Sequence, residues 1–93
     1  MNKMLCLAVD LRRVAYWLYR GDLKLAKSTL DLLPVKYSDL PSKIACYDDI
    51  WVELKRISDL SDGVNKAAER ACTASVILQN AATLDKTLPA NTD

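Results

Sequence analysis

Three neighbouring carboxylates are the residues of this chain best spaced for metal chemistry. Asp49 and Glu53 are one helical turn apart and Asp48 adjoins them, so a helix would hold two oxygen ligands close together. A di-metal helical bundle also needs carboxylates from other helices and a Glu/His pair, and the chain has no histidine. These residues are more simply interpreted as a solvated face, and we expect neither a metal nor another cofactor.

Nucleophilic catalysis has equally little support. Without histidine, no serine or cysteine has the usual general base beside it. The three cysteines, Cys6, Cys46 and Cys72, form no CxxC pair and are expected to be reduced thiols that fill space near the core. A glycine-rich phosphate loop is also absent. We therefore expect a protein that is not an enzyme.

Size and composition indicate one small domain with a real core. The chain has 93 residues, of which 51% are hydrophobic and 27% charged, and its net charge is +1. A dedicated DNA-binding protein normally has a strong basic excess, so this balance argues against one. Asp10, Arg12 and Arg13 end the first apolar run too early for a signal peptide, and no run is long enough to cross a bilayer. We expect a cytoplasmic protein without membrane insertion.

Apolar residues recur at three- and four-residue steps along most of the chain, which predicts four helices. The first covers about residues 2–20, and the second covers residues 23–33 and stops before Pro34. The third begins near Ser38 or Asp39 and runs to residue 57. The fourth, over about residues 64–84, has a stripe of small residues that permits close approach to its neighbours.

Turn-forming residues separate these helices. Gly21 and Asp22 end the first and cap the second, which makes a helical hairpin. Residues 58–63 are rich in Ser, Asp and Gly and predict a second turn; the alternative is one continuous helix, because Leu60 and Val64 keep the apolar register. We predict an all-α antiparallel bundle, most simply two hairpins, which a helix-swapped dimer could also complete. Residues 1–85 form the single domain, and residues 86–93 a frayed tail.

The first helix carries the residues most suited to binding a partner. Trp17 projects far from the apolar stripe and beside Arg13 and Arg20, while Tyr16 lies on the other flank, so one neighbouring helix cannot cover the whole apolar arc. Either another helix or a second subunit covers Trp17, or it is an exposed anchor for a different protein. Trp and Arg are enriched at interface hot spots. We predict a partner-binding site of Trp17, Arg13, Arg20 and Tyr16.

These features together favour a non-enzymatic protein–protein interaction module, an adaptor or inhibitor of a larger protein, of bacterial or phage type. A structural homo-oligomer, such as a homodimer, is the second interpretation because it would use the same apolar surfaces. A nucleic-acid accessory protein that uses Arg12, Arg13, Arg20 and Lys24 is a distant third.

Overall fold

The computed structural model describes the backbone of residues 3–60 and 62–92 and the side chains of residues 3–60 and 62–83. Within these residues the chain forms four α-helices and no β-strand. The helices are α1 (Lys3–Arg20), α2 (Leu23–Lys36), α3 (Ile50–Asp59) and α4 (Val64–Thr92). Helices α1 and α3 each contact both α2 and α4, so the four helices follow chain order around the bundle. The predicted all-α bundle of four helices is confirmed.

The core lies mainly between α1 and α4, which share the most extensive contact in the bundle. Of the predicted stripe of Met4, Ala8, Leu11, Ala15 and Leu18, helix α1 buries all but Met4, which is half-buried. The helix also buries Leu7 and Val14, which the prediction did not include. Helix α4 faces it with small residues, and the fully buried members of that stripe are Ala68, Ala71 and Ala74. Because alanine side chains are short, the backbones of the two helices can approach closely. The small residues therefore bring α4 close to α1, as predicted.

Gly21 ends α1 in the manner that the sequence predicts. Its φ of +86° lies in the left-handed region, which glycine adopts without a Cβ penalty. The amide of Gly21 donates to the carbonyl of Leu18 at 3.2 Å, and that of Asp22 donates to Trp17 at 2.8 Å. These two bonds form a Schellman motif, which satisfies carbonyls at the helix end. Asp22 occupies the N-cap position of α2, but its side chain makes no capping hydrogen bond.

The prediction that α2 stops before Pro34 is wrong, because the helix continues through the proline to Lys36. A proline inside a helix lacks one amide donor and normally destabilises the turn before it. The turn that follows is held by contacts outside α2. Lys36 and Tyr37 both donate hydrogen bonds to Asp10 of α1, and Tyr37 is buried. These contacts join the turn after Pro34 to α1.

The predicted start of α3 near Ser38 or Asp39 is also wrong, since the helix begins at Ile50. Ile44 and Tyr47 exchange two backbone hydrogen bonds, of 3.1 and 2.9 Å, and Ala45 between them has a φ of +54°. Both features exclude a right-handed helix there. The carboxylate of Asp49 then accepts hydrogen bonds from the amides of Trp51 and Val52, at 3.0 and 3.3 Å, and so caps α3. The apolar period predicted burial of Ile44 correctly but not its conformation.

A turn separates α3 from α4, so the continuous-helix alternative for residues 58–63 is wrong. Leu60 has a φ of +55° and ends α3, and Gly63 has a φ of +95° just before α4 begins. Ser61 lies outside the described residues. Arg70 of α4 braces this turn with ion pairs to Asp62, at 3.1 Å, and to Glu53 of α3, at 3.9 Å. The second hairpin therefore has a side-chain link between its two helices.

The predicted end of the domain lies beyond the described side chains. Helix α4 continues past residue 85 as far as Thr92. The side chains from residue 84 onward are outside the described part of the chain. The division between a domain at 1–85 and a frayed tail at 86–93 therefore stays a prediction.

Candidate functional site

The four predicted site residues lie along one side of α1. At about 100° per residue, Arg13, Tyr16, Trp17 and Arg20 share an arc of about 100° on the side of the helix away from the core. Arg13, Tyr16 and Arg20 are exposed, whereas Trp17 is half-buried. The fold thus places all four residues on one continuous strip of surface.

Arg20 and Tyr16 hold each other in place on this strip. A guanidinium nitrogen of Arg20 donates to the Tyr16 hydroxyl at 2.7 Å, and the guanidinium carbon lies 5.4 Å from the centre of the Tyr16 ring. Arg20 also lies 4.0 Å from the carboxylate of Asp22. The hydrogen bond that Arg20 donates to Tyr16 is the main reason that the pKa of Arg20 is raised. Because both side chains are already ordered, less conformational entropy would be lost when they bind a partner.

Trp17, for which the sequence left both cover by another helix and exposure as an anchor open, is neither fully covered nor fully exposed. It packs against the buried core cluster from the edge of α1 that faces α2, and part of its surface stays open to solvent. Neighbouring helices therefore account for part of its cover. Whether a second protein completes that cover stays a prediction.

A buried carboxylate at the interface of α1 and α2 was missed at the sequence level. Asp10 is only 8% exposed. Its Oδ2 atom accepts hydrogen bonds from the Tyr37 hydroxyl at 2.6 Å and from Lys36 Nζ at 3.0 Å. Burial, followed by the hydrogen bond to Asp10, raises the pKa of Tyr37 well above its ordinary value. The Tyr37 hydroxyl therefore keeps its proton at neutral pH, and the hydrogen bond that it donates to Asp10 joins α1 to the residue that follows α2.

Asp10 also lines an apolar groove on the surface of the first hairpin. This groove has a volume of about 540 Å³ and lies between the N-terminal half of α1 and the end of α2. Leu5, Cys6 and Val9 provide its apolar α1 side, and Tyr37 closes it from α2. Arg13, which is one of the four predicted site residues, stands on the rim of the groove. The groove is therefore continuous with the strip of predicted site residues.

Helix α2 adds exposed apolar side chains to the same side of the molecule. Leu25 and Leu32 are seven residues apart and hence share a face, and Leu32 is 63% exposed. Helix geometry puts this face next to Lys36, which contacts α1, so it borders the α1/α2 interface. The seven-residue repeat of Leu25 and Leu32, on the flank of the buried stripe of Ala26, Leu30 and Leu33, was readable in the sequence. We call the surface formed by Val9, Arg13, Tyr16, Trp17, Leu25 and Leu32 the hairpin face.

Charge is distributed unevenly between the two halves of the chain, although the total is only +1. Residues 1–36 contain seven Lys or Arg and three Asp, for a net charge of +4. Residues 37–93 contain six Lys or Arg and nine Asp or Glu, for a net charge of −3. The hairpin face therefore belongs to the basic half of the molecule.

Two of the carboxylates considered as metal ligands, Asp49 and Glu53, make contacts that stabilise the fold. The Asp49 carboxylate caps α3, and Glu53 faces Arg70. Among the described residues, no group of three or more His, Cys, Asp or Glu side chains is arranged to hold a metal ion. The expectation that the cysteines fill space near the core is wrong for Cys46 and Cys72, which are exposed.

No family model, curated protein or solved structure matches this chain. Within the described residues, no helix is both long enough and apolar enough to span a membrane. The residues of the hairpin face themselves are thus the basis for a functional proposal.

Proposed function

We propose that this protein is a non-enzymatic binding module of the cytoplasm, an adaptor or inhibitor that docks on a larger protein through its hairpin face. The observation that carries the proposal is the exposure of large apolar side chains on neighbouring helices. Val9 and Tyr16 on α1 and Leu25 and Leu32 on α2 are each more than two-fifths exposed. Clusters of such residues beside arginines are typical of protein interfaces.

The hairpin face suits a docking role because its frame is rigid before any partner arrives. The Asp10 cluster fixes one end of the α1/α2 hairpin, and the Schellman turn at Gly21 fixes the other. A preorganised surface loses little entropy on association. In this proposal Trp17 is buried further at the centre, while Arg13, Arg20 and Tyr16 orient the partner.

A homo-oligomer is the second candidate, and the uneven charge favours it. The basic first half of one copy could meet the acidic second half of another. Light scattering over a concentration series separates these cases, since a constant monomer mass would exclude self-association as the use of this face. The nucleic-acid reading has less support because Arg12 hydrogen-bonds Gln79 and Arg20 is held by Tyr16 and Asp22.

Site-specific photo-crosslinking tests the proposal directly. A photoreactive amino acid is placed at Leu32 or at Tyr16, and the protein is irradiated in the cells that encode it. The matched control has the same amino acid at Lys66, an exposed residue of α4. We expect discrete adducts with one larger protein from the two hairpin positions and none from Lys66. Equal labelling from all three positions, or no adduct from Leu32 and Tyr16, would contradict the proposal.

A further inference from the structure

The groove beside Asp10 has a mainly apolar lining, and one cation on its rim is placed to pair with a negative charge on a ligand. Leu5, Val9 and the Tyr37 ring line it, and its volume of about 540 Å³ is within the range of binding clefts. Three cations surround it. Lys36 is paired with Asp10, and Lys3 is paired with Asp39.

Arg13 is the cation on this rim without such a partner. Within the described part of the chain its side chain forms neither a hydrogen bond nor an ion pair. It is exposed and lies at the border of the groove. A guanidinium binds a carboxylate through two parallel hydrogen bonds, so Arg13 is complementary to an Asp or Glu of a partner.

The row of α1 residues that lines the groove at Leu5, Val9 and Arg13 continues along the helix to Trp17, and we call this row the track. From Leu5 to Trp17 the helix rises about 18 Å, the length of about twelve helical residues. Trp17 follows Arg13 by four residues and so stands one turn further along the same side. Leu25 and Leu32 of α2 border this side of the hairpin. A track of this length matches the apolar face of a helix with anchors at three- and four-residue steps.

We infer that the partner contributes an acidic amphipathic helix to this track. Its apolar side chains enter the groove beside Leu5 and Val9, and one of its carboxylates pairs with Arg13. The net charge of +4 on residues 1–36 attracts such a segment to this half of the molecule and away from the half with a net charge of −3. This inference rests on the proposed function, because it names the chemistry of the partner at the hairpin face.

Peptide selection tests the chemistry without knowledge of the natural partner. A displayed library of random peptides of about 16 residues, or roughly four helical turns, is selected against the full chain. Selected peptides are then measured against Arg13→Glu and Val9→Asp by fluorescence anisotropy. Lys66→Glu is the matched control, because it makes the same charge change at an exposed site on α4. Melting curves check that all three variants are folded.

We expect the selected peptides to be acidic with an amphipathic helical pattern. Their affinity should fall at least about tenfold with Arg13→Glu and with Val9→Asp, and stay unchanged with Lys66→Glu. Replacing the critical Glu or Asp of a peptide with Arg should restore its binding to Arg13→Glu. Association should also slow as salt is added, because the attraction is screened.

Three results would overturn the inference. Peptides that depend on Val9 but are basic or neutral would contradict the acidic partner and leave the proposed function standing. Selection that yields no peptide sensitive to Arg13→Glu or Val9→Asp would reject the track as a helix-binding site. A homodimer that is lost in Arg13→Glu would assign the track to a second copy of the chain. Failure of crosslinking at Leu32 would instead reject the proposed function.

Discussion

The two hairpins of this bundle use their apolar residues differently. Among the described side chains, the first hairpin exposes six large apolar residues: Val9, Tyr16, Tyr19, Leu25, Leu32 and Val35. The second hairpin exposes two, Val52 and Val76, one on each helix. The first hairpin is basic, whereas residues 50–92, which form the second hairpin, have five Lys or Arg and five Asp or Glu and are braced by Arg70. This difference indicates that α3 and α4 serve mainly to complete the core, and that α1 and α2 both build the core and present a surface.

The largest expected effect on stability comes from comparing a core residue and a surface residue of the first hairpin. Leu11 is fully buried in α1, and Leu32 is exposed on α2. We expect Leu11→Ala to lower the free energy of unfolding by about 2–5 kcal/mol, because it leaves a cavity. Leu32→Ala should change it by no more than about 0.5 kcal/mol, as is usual for a surface site. Urea unfolding followed by circular dichroism measures both. A similar loss in the two variants would mean that Leu32 is covered in solution.

The close packing of α4 on α1 gives the next largest effect. Ala71 is fully buried, so a larger side chain there must push the helices apart. We expect Ala71→Leu to destabilise the fold by about 1–3 kcal/mol through overpacking. Thr73→Leu, at an exposed position of the same helix, is the control and should be close to neutral. If thermal melts show that Ala71→Leu is tolerated, the stripe of small residues does not set the distance between α1 and α4.

The Asp10 cluster tests whether the first hairpin is fixed independently of a partner. Tyr37→Phe removes the hydroxyl donor but leaves Lys36 bound to Asp10, so we expect a loss of about 1–2 kcal/mol. Tyr16→Phe removes an exposed hydroxyl that contacts Arg20 and should cost about 0.5 kcal/mol or less. Chemical denaturation of both variants gives the comparison. Equal losses would show that the cluster does not hold α1 and α2 together.

Alkaline pH should weaken the fold because two tyrosine side chains are buried or half-buried in it. Burial raises the pKa of Tyr37 above its ordinary value and raises the pKa of Tyr47 to about 12. A phenol with a raised pKa keeps its proton in the folded chain after the unfolded chain has lost it, so stability falls as pH rises above about 10. We expect Tyr47→Phe to reduce this fall between pH 10 and about 12. An unchanged pH profile of the melting temperature in Tyr47→Phe would contradict this assignment.

Sequence reasoning found the apolar stripes, but it missed interactions between distant segments. The buried stripe of α1 and the turn at residues 58–63 follow from local patterns. The turn that follows Pro34 in α2 contacts Asp10, which is far away in the chain, so this contact could be recognised only in the folded hairpin. The start of α3 was missed because burial of Ile44 imitates a helical period, while Asp49 supplies the true cap. For the site, the four residues of α1 were predicted, but the contribution of α2 was not.

The last comparison concerns the turns of the two hairpins. Gly21 and Gly63 both have positive φ angles, and a Cβ atom added at either would meet nothing within 4 Å. Alanine at either position should therefore cost about 1–2 kcal/mol through backbone strain alone. Gly21→Asn should cost less than Gly21→Ala, because Asn tolerates the left-handed conformation. The second turn also depends on the pairing of Asp62 with Arg70, next to Gly63. A loss for Gly63→Ala several times larger than for Gly21→Ala would show that this ion pair and the backbone of the turn are coupled.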